Sequence, residues 1–167
     1  EVFTTRPDTV FGVSFLTVAP EYEDLFEISS SKNRKKIEDY IKEVSVKSER
    51  DRLSDVKTVS GVFTGSYALH PFSGKKIPIW ISDYVLASYG SGAVMGVPAG
   101  DHRDFDFAKK FKLDIPNIFD QTDISKSAFT EKTQFKLINS EFLNGHDYKS
   151  SLNLIISKIE NKKDGIA

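Results

Sequence analysis

Short runs of β-branched and aromatic residues, separated by glycine, proline and serine, limit most strongly what this chain can fold into. Two of these runs, Gly65–Pro71 and Ile77–Ile81, flank Ser73-Gly74, which is the pattern of a β-hairpin. Pro78 lies inside the second run and cannot donate a ladder hydrogen bond. We therefore expect this strand at the edge of a sheet or at the rim of a barrel.

The remaining segments combine short strands with helices. Further strands are predicted at Val2–Thr5, Val10–Ala19, Tyr84–Ala87, Ala93–Val97, Ile115–Phe119 and Phe135–Ile138, with a turn at Arg6-Pro7-Asp8 between the first two. Apolar residues at helical spacing predict helices at Tyr22–Phe26, at Ile37–Val44, after Asp101, and from about Asp147 to a stop at Gly165. Because strands and helices do not alternate regularly, we predict an α+β fold with a β-barrel-like core of short mixed strands and peripheral helices.

Composition excludes several function classes. The 167 residues are 39% hydrophobic, which suits one domain over residues 1–167 with a real core. The absence of cysteine excludes a disulfide framework, a thiol nucleophile and a thiolate metal site, and three histidines leave little for a metal cluster. A net charge of −1 argues against a globally basic nucleic-acid coat but leaves a local patch open. No apolar run approaches the ~20 residues that span a membrane, and the start at Glu1 suggests a piece of a larger protein.

The first segment suited to chemistry is threonine-rich and runs from residue 3 to residue 12. Thr4, Thr5 and Thr9 place three hydroxyls close together in sequence. A hydroxyl both donates and accepts hydrogen bonds, so it suits water, ribose hydroxyls and ester carbonyls. The same residues are also ordinary in a strand followed by a Pro-Asp turn. The residues alone leave both interpretations open.

The second segment is glycine-rich and runs from residue 90 to residue 104. Its four glycines, Gly90, Gly92, Gly96 and Gly100, allow a ligand to approach the backbone closely. Asp101 and Asp104 stand one helical turn apart, so they could hold an ammonium group, cap a helix or pair with Arg103. The segment lacks the lysine of a phosphate-binding loop. His102 fits a surface ion pair better than a catalytic base.

Taken together, these segments resemble a known family. TTRPDTVFG and GSGAVMGVPAGDHRDFDFA, with HPFSGKKIPIWISDYVLASYG between them and INSEFLNGHD after them, are similar to the editing domain of leucyl-tRNA synthetase, bacterial type. The isoleucyl and valyl editing domains share this plan, but TTRPDT with VMGVP and DHRDFDFA is closest to the leucyl type. The resemblance covers essentially the whole chain. The synthetase motifs HIGH and KMSKS do not occur in it, so we expect hydrolysis without amino-acid activation.

The resemblance implies a role for each matching residue. Asp104 is expected to hold the α-ammonium of the substrate, and Thr9 to exclude the leucine side chain as a specificity gate. Thr4 and Thr5 are expected to bind the ester or the attacking water, and Arg6 to lie near the terminal phosphate or a carboxylate network. Residues expected to contact the substrate side chain or the terminal adenosine are Leu86, Ser88, Tyr89, Gly90, Met95, Val97 and Asp101.

The implied activity is hydrolysis of the ester bond of tRNA-Leu mischarged with isoleucine, norvaline or similar amino acids, with leucine excluded sterically. No metal or cofactor is expected for editing, since ATP and Mg serve only the missing synthetic domain. The expected partners are the tRNA-Leu 3′ end and the rest of the synthetase in cis, with a monomeric fragment in the cytoplasm and no membrane. This chain has Gly100 where the family usually has histidine, so a contact through that side chain is expected to be lost or altered, which weakens the role assigned to Asp101 relative to that of Asp104. A non-catalytic tRNA 3′-end binding module and an isoleucyl- or valyl-type editing domain are the alternatives.

Overall fold

Two compact units make up the fold. The computed structural model describes residues 1–46, 48, 51, 52 and 59–162. The first unit consists of Glu1–Phe3 and Phe15–Gly96, and the second of Thr4–Ser14 and Val97–Ala167. The threonine-rich segment and the residues from Val97 onward therefore belong to the same unit, although they lie far apart in sequence. That residues 1–167 act as a single editing domain stays a prediction.

The first unit contains a mixed sheet. Its strands in the described part of the chain are β1 (Phe15–Val18), β2 (Gly61–Leu69), β3 (Lys76–Ser82) and β4 (Ala93–Gly96), in the order β2-β3-β1-β4. Strand β1 is parallel to β3 and antiparallel to β4, and β2 and β3 form the predicted antiparallel hairpin. The α+β class with short mixed strands is confirmed.

The prediction that Pro78 marks an edge strand is wrong. Strand β3 lies between β2 and β1 and pairs with both. Pro78 pairs with Tyr67 of β2, whereas pairing with β1 begins one residue later, at Ile79 opposite Leu16. The missing N–H therefore falls beyond the end of the β1 ladder, so an interior strand tolerates proline at this position.

Helix α1 (Arg34–Ser45) confirms the helix predicted around Ile37–Val44. It is amphipathic, and its apolar stripe packs onto the sheet in a core cluster formed by Val18, Leu25, Ile37, Tyr40, Val44, Ile81 and Ala93. The helix predicted at Tyr22–Phe26 is wrong, because the chain forms successive turns there, with the N–H of Leu25 donating to the carbonyl of Tyr22 at 3.1 Å. Leu25 is buried and Tyr22 packs against the same cluster, but Phe26 is 41% exposed, so the apolar stripe is too short to stabilise a helix here.

The second unit contains a 3₁₀ helix, Pro7–Gly12, where a turn and a strand were predicted. Proline at its first turn fixes φ in the helical range. Helices α2 (His102–Phe111) and α3 (Tyr148–Lys162) match the predicted helices. The predicted stop at Gly165 lies outside the described residues. No helix in the described part of the chain is long and apolar enough to cross a membrane.

Four predicted strands are shorter than expected or replaced by turns. The segment Val2–Thr5 forms a single bridge, Phe3 with Val94, and Tyr84–Ala87 consists of turns and bends. The strands predicted at residues 115–119 and 135–138 reduce to one antiparallel bridge between Phe119 and Leu137. Isolated bridges arise where two extended chains cross without continuing side by side, so β-propensity alone overestimates their length.

Candidate editing site

The main chain of Arg6 organises the threonine-rich segment. Its N–H donates to Oγ1 of Thr4 at 2.9 Å. Its carbonyl accepts from the N–H of Thr9 at 3.1 Å and from the Thr9 hydroxyl at 2.8 Å. Thr9 is 2% exposed, Thr4 is half-buried and Thr5 is exposed. Two of the three threonine hydroxyls predicted to serve the substrate are therefore held on the backbone of one residue.

The side chain of Arg6 is held between a carboxylate and an aromatic ring. Its Nε donates to Oδ1 of Asp8 at 2.9 Å, and its Nη2 donates to Oδ2 at 2.8 Å, which is a bidentate ion pair. Asp8 is fully buried, and the guanidinium carbon lies 5.1 Å from the centroid of the Tyr148 ring. The carboxylate beside Arg6 is thus that of Asp8, and a contact of Arg6 with a terminal phosphate stays a prediction. Sequence reasoning gave no role to Tyr148, because nothing local connects it with Arg6.

The first turn of α2 positions both aspartates. Asp101 is the N-cap, since its Oδ1 accepts from the N–H groups of Arg103 at 2.8 Å and Asp104 at 3.1 Å. Asp104 is 7% exposed, and its Oδ2 accepts from the N–H of Val97 at 2.8 Å. The partial positive charge of the helix N-terminus favours a carboxylate here. Capping is therefore what Asp101 does in the fold, whereas Asp104 is held against the strand-to-helix connection.

Gly12 and Val97 bring the two motifs together inside the second unit. A Cβ added to Gly12 would lie 3.1 Å from Cγ1 of Val97 and 2.8 Å from Cδ1 of Ile118, so both side chains pack directly against the Gly12 backbone. Val97 is 5% exposed, and its N–H is the group bound by Asp104. Gly12, at the end of the 3₁₀ helix, therefore lies against Val97, and Val97 is bound by the carboxylate of Asp104.

A tight loop of the first unit carries most of the residues predicted to contact adenosine. The N–H of Tyr89 donates to the carbonyl of Leu86 at 3.1 Å. Gly90 has a φ of +60°, and a Cβ there would lie 2.4 Å from Cβ of Phe3. The rings of Phe3 and Tyr89 meet edge to face with centroids 5.1 Å apart, and Tyr89 is 50% exposed. The loop therefore presents an aromatic ring that is supported from one side.

Ser88 is exposed in the same loop, and Met95 is a partly buried residue of β4 that pairs with Leu16. Their contacts with a substrate stay predictions.

Comparison with known proteins identifies the family. The family model described as "Leucyl-tRNA synthetase, editing domain" matches residues 1–160. This chain belongs to that family. The match agrees with the resemblance to the leucyl type rather than to the isoleucyl or valyl type.

Relatives of this editing domain are much longer than the chain. Leucine–tRNA ligase of Christiangramia forsetii is 53% identical over 164 residues, which are 98% of this chain and 17% of that protein. Leucine–tRNA ligase of Flavobacterium psychrophilum is 51% identical over 170 residues, 99% of this chain and 18% of that protein. The chain thus spans less than a fifth of the length of these relatives.

A solved structure has the same fold. The leucyl-tRNA synthetase (LeuRS) of Agrobacterium radiobacter K84, agnB2, in a ternary complex named LeuRS-tRNA-LeuAMS, superimposes with a TM-score of 0.69 at 28% identity. The match covers 96% of this chain and 17% of that chain.

Two further features of the editing domain bear on its chemistry. A Cβ at Gly100 would make only ordinary van der Waals contacts, the nearest with Cζ of Phe119 at 3.5 Å and Cγ1 of Val97 at 3.6 Å, and Gly100 does not have a positive φ. The backbone at position 100 thus does not demand glycine. His102 is exposed at the first position of α2. In the described part of the chain, no three His, Cys, Asp or Glu residues are grouped so that they could hold a metal ion.

Proposed function

We propose that this chain hydrolyses the ester bond of tRNA-Leu mischarged with isoleucine, norvaline or a similar amino acid, and that it excludes leucine sterically. Its proposed partners are the tRNA-Leu 3′ end and the remainder of a cytoplasmic synthetase in cis. One observation carries the proposal: Gly12 lies against Val97, and the N–H of Val97 binds Asp104. The threonine segment and the candidate ammonium-binding carboxylate are thus parts of one compact unit.

Asp104 is proposed to hold the α-ammonium of the aminoacyl group. A carboxylate offers about four acceptor positions, so its bond to the N–H of Val97 is compatible with a bond to the substrate. A charge-assisted hydrogen bond to the α-ammonium, which all amino acids share, fixes the position of the aminoacyl group. Other residues of the site can then distinguish amino acids by their side chains. The roles of Leu86, Ser88, Tyr89, Gly90 and Met95 toward the adenosine and the side chain are proposals of the same kind.

Thr4 and Thr5 are proposed to position the ester and the attacking water. The hydroxyl of Thr4 accepts from the N–H of Arg6, and a hydroxyl in that role can still donate its own proton to an acceptor. Water adds to the ester carbonyl carbon, the bond from that carbon to the ribose oxygen breaks, and the ribose hydroxyl and the free amino acid are released. Positioning of water and ester accounts for the acceleration, without a metal or cofactor.

Thr9 is proposed to act through its methyl group. Its hydroxyl is bound to the carbonyl of Arg6, which fixes χ1 and therefore the direction of the methyl. A gate that uses bulk rather than hydrogen bonding distinguishes amino acids by the shape of their side chains. One methyl group is worth about 1–3 kcal/mol, or about 10–200-fold in rate.

Two substitutions at this position separate bulk from hydrogen bonding. Thr9→Ser keeps the hydroxyl and removes the methyl, and we expect cleavage of Leu-tRNA-Leu to rise at least about tenfold. Thr9→Val keeps both branches of the side chain and loses the hydroxyl that fixes χ1, and we expect its cleavage of Leu-tRNA-Leu to stay well below that of Thr9→Ser. Both are assayed by deacylation of Leu-tRNA-Leu and Ile-tRNA-Leu.

The assay uses the chain itself and a hybrid ligase, in which the chain replaces the matching segment of the C. forsetii ligase. Continued sparing of leucine by Thr9→Ser contradicts the steric gate. If the hybrid ligase binds an amide-linked isoleucyl-adenosine but leaves Ile-tRNA-Leu intact, the chain is a non-catalytic tRNA 3′-end binding module.

A further inference from the structure

Tyr148 is the first residue of α3 and belongs to neither motif of the editing site. Its half-buried ring lies under the Arg6 guanidinium, with 5.1 Å between the guanidinium carbon and the ring centroid. An arginine over the face of an aromatic ring is attracted by the ring quadrupole, and more strongly when it is shielded from water. The Arg6 side chain is 17% exposed, so this shielding applies here.

Arg6 is constrained on a second side by Asp8. The two parallel hydrogen bonds to the buried carboxylate fix the plane of the guanidinium, and the face of the Tyr148 ring lies against the guanidinium group. A free arginine side chain samples many rotamers, whereas one held by both a carboxylate and an aromatic ring samples few. The orientation of the whole Arg6 residue is thereby restricted.

The backbone of Arg6 transmits this restriction to Thr9. The Arg6 carbonyl accepts both the N–H and the hydroxyl of Thr9, so a rotation of the Arg6 peptide changes both hydrogen bonds. Because the Thr9 hydroxyl fixes χ1, such a rotation also redirects the methyl group. The path runs from Tyr148 through the Arg6 side chain and carbonyl to Thr9.

We propose that Tyr148 is a positioning residue that sets the discrimination against leucine, by holding Arg6 and through it the Thr9 gate. The inference rests on the proposed function, since it requires Thr9 to be the gate. It adds that specificity is determined partly by a helix outside the two motifs.

The test compares three substitutions in the hybrid ligase and in the chain. Tyr148→Leu removes the ring, Tyr148→Phe keeps the ring and removes the hydroxyl, and Phe111→Leu is the matched control. Phe111 is also a half-buried helical aromatic of this unit, paired with Phe107 at 4.5 Å between centroids and with Nζ of Lys110 5.7 Å from its ring centroid. The readout is the ratio of the deacylation rates of Leu-tRNA-Leu and Ile-tRNA-Leu.

We expect Tyr148→Leu to raise this ratio about threefold to tenfold while cleavage of Ile-tRNA-Leu stays within about twofold of wild type. Tyr148→Phe and Phe111→Leu should leave the ratio within about twofold. Arg6→Lys keeps the charge but loses the planar fork and the stacking surface, so it should raise the ratio too, and it serves as the second test if Tyr148→Leu does not fold.

An unchanged ratio in folded Tyr148→Leu overturns the inference, as does an equal rise in Phe111→Leu, which would indicate a general loss of packing. Thr9→Ser, assayed in parallel, separates the role of Tyr148 from the existence of the Thr9 gate. If Thr9→Ser cleaves Leu-tRNA-Leu and Tyr148→Leu does not, only the role of Tyr148 fails. If Thr9→Ser spares leucine, the gate itself fails.

Discussion

Replacement of Asp104 separates its place in the fold from its proposed role in binding. Asp104→Ala removes the acceptor of the Val97 N–H, a 2.8 Å hydrogen bond between two residues that are 7% and 5% exposed. A hydrogen bond to a charged group contributes about 1.5–3 kcal/mol to the free energy of unfolding. At about 2–4 °C per kcal/mol for a chain of this size, the melting temperature should fall by about 3–12 °C.

Asp104→Asn is the matched variant. Its amide oxygen still accepts from the N–H of Val97, so we expect a smaller fall in melting temperature than in Asp104→Ala. Its charge is lost, so both variants should lose the charge-assisted bond to the substrate ammonium, and deacylation of Ile-tRNA-Leu should fall about 10–150-fold.

Thermal denaturation by circular dichroism and deacylation kinetics measure the two effects. Wild-type deacylation by Asp104→Asn refutes the role of the carboxylate in holding the ammonium. A melting temperature unchanged in Asp104→Ala refutes the energetic weight given to the bond with Val97.

Two further predictions concern the first unit. Gly90→Ala should destabilise the chain and weaken binding of an adenosine-linked analogue, which calorimetry measures. The reason is that φ of Gly90 is +60° and the new Cβ would lie 2.4 Å from Phe3. Gly74→Ala is the control for backbone strain alone, because φ is +67° there and no atom lies within 4 Å of the Cβ position. Burial raises the pKa of the Tyr40 phenol above its ordinary 10.0, and its hydroxyl is bound to Ser60 at 2.7 Å. Since the unfolded phenol ionises first, stability should fall as pH rises above about 10, by up to about 1.4 kcal/mol per pH unit, and Tyr40→Phe should flatten that fall in urea titrations. An equal slope in both proteins would contradict this assignment.

The elements that the sequence predicted well are those whose signals are local. The hairpin follows from two β-rich runs around Ser73-Gly74, and α2 follows from a capping aspartate at position 101 before an apolar stripe. In each case the deciding residues lie within a few positions of one another. The 3₁₀ helix Pro7–Gly12 was missed because β-branched residues favour strands, whereas here Arg6 and Thr9 close the turns through their own backbone.

In the candidate site, too, the sequence identified the residues and the structure identified their contacts. The motifs indicated Thr4, Thr9, Asp101 and Asp104 because the residue types and spacing are specific to the family. The sequence left several roles possible for each of these residues, and the structure shows which contacts each one makes. Asp101 is the N-cap of α2, whereas Asp104 binds the backbone of Val97.

The sequence by itself determined the family and the elements with local signals, such as the hairpin and α2, because these depend on residue types and on neighbours a few positions away. Only the tertiary structure decided that Pro78 stands in an interior strand, that Gly12 meets Val97 and that Arg6 lies between Asp8 and Tyr148. With the exception of the bond from Arg6 to Asp8, these arrangements join residues far apart in the chain. They follow from which surfaces bury one another, and no local propensity encodes that choice.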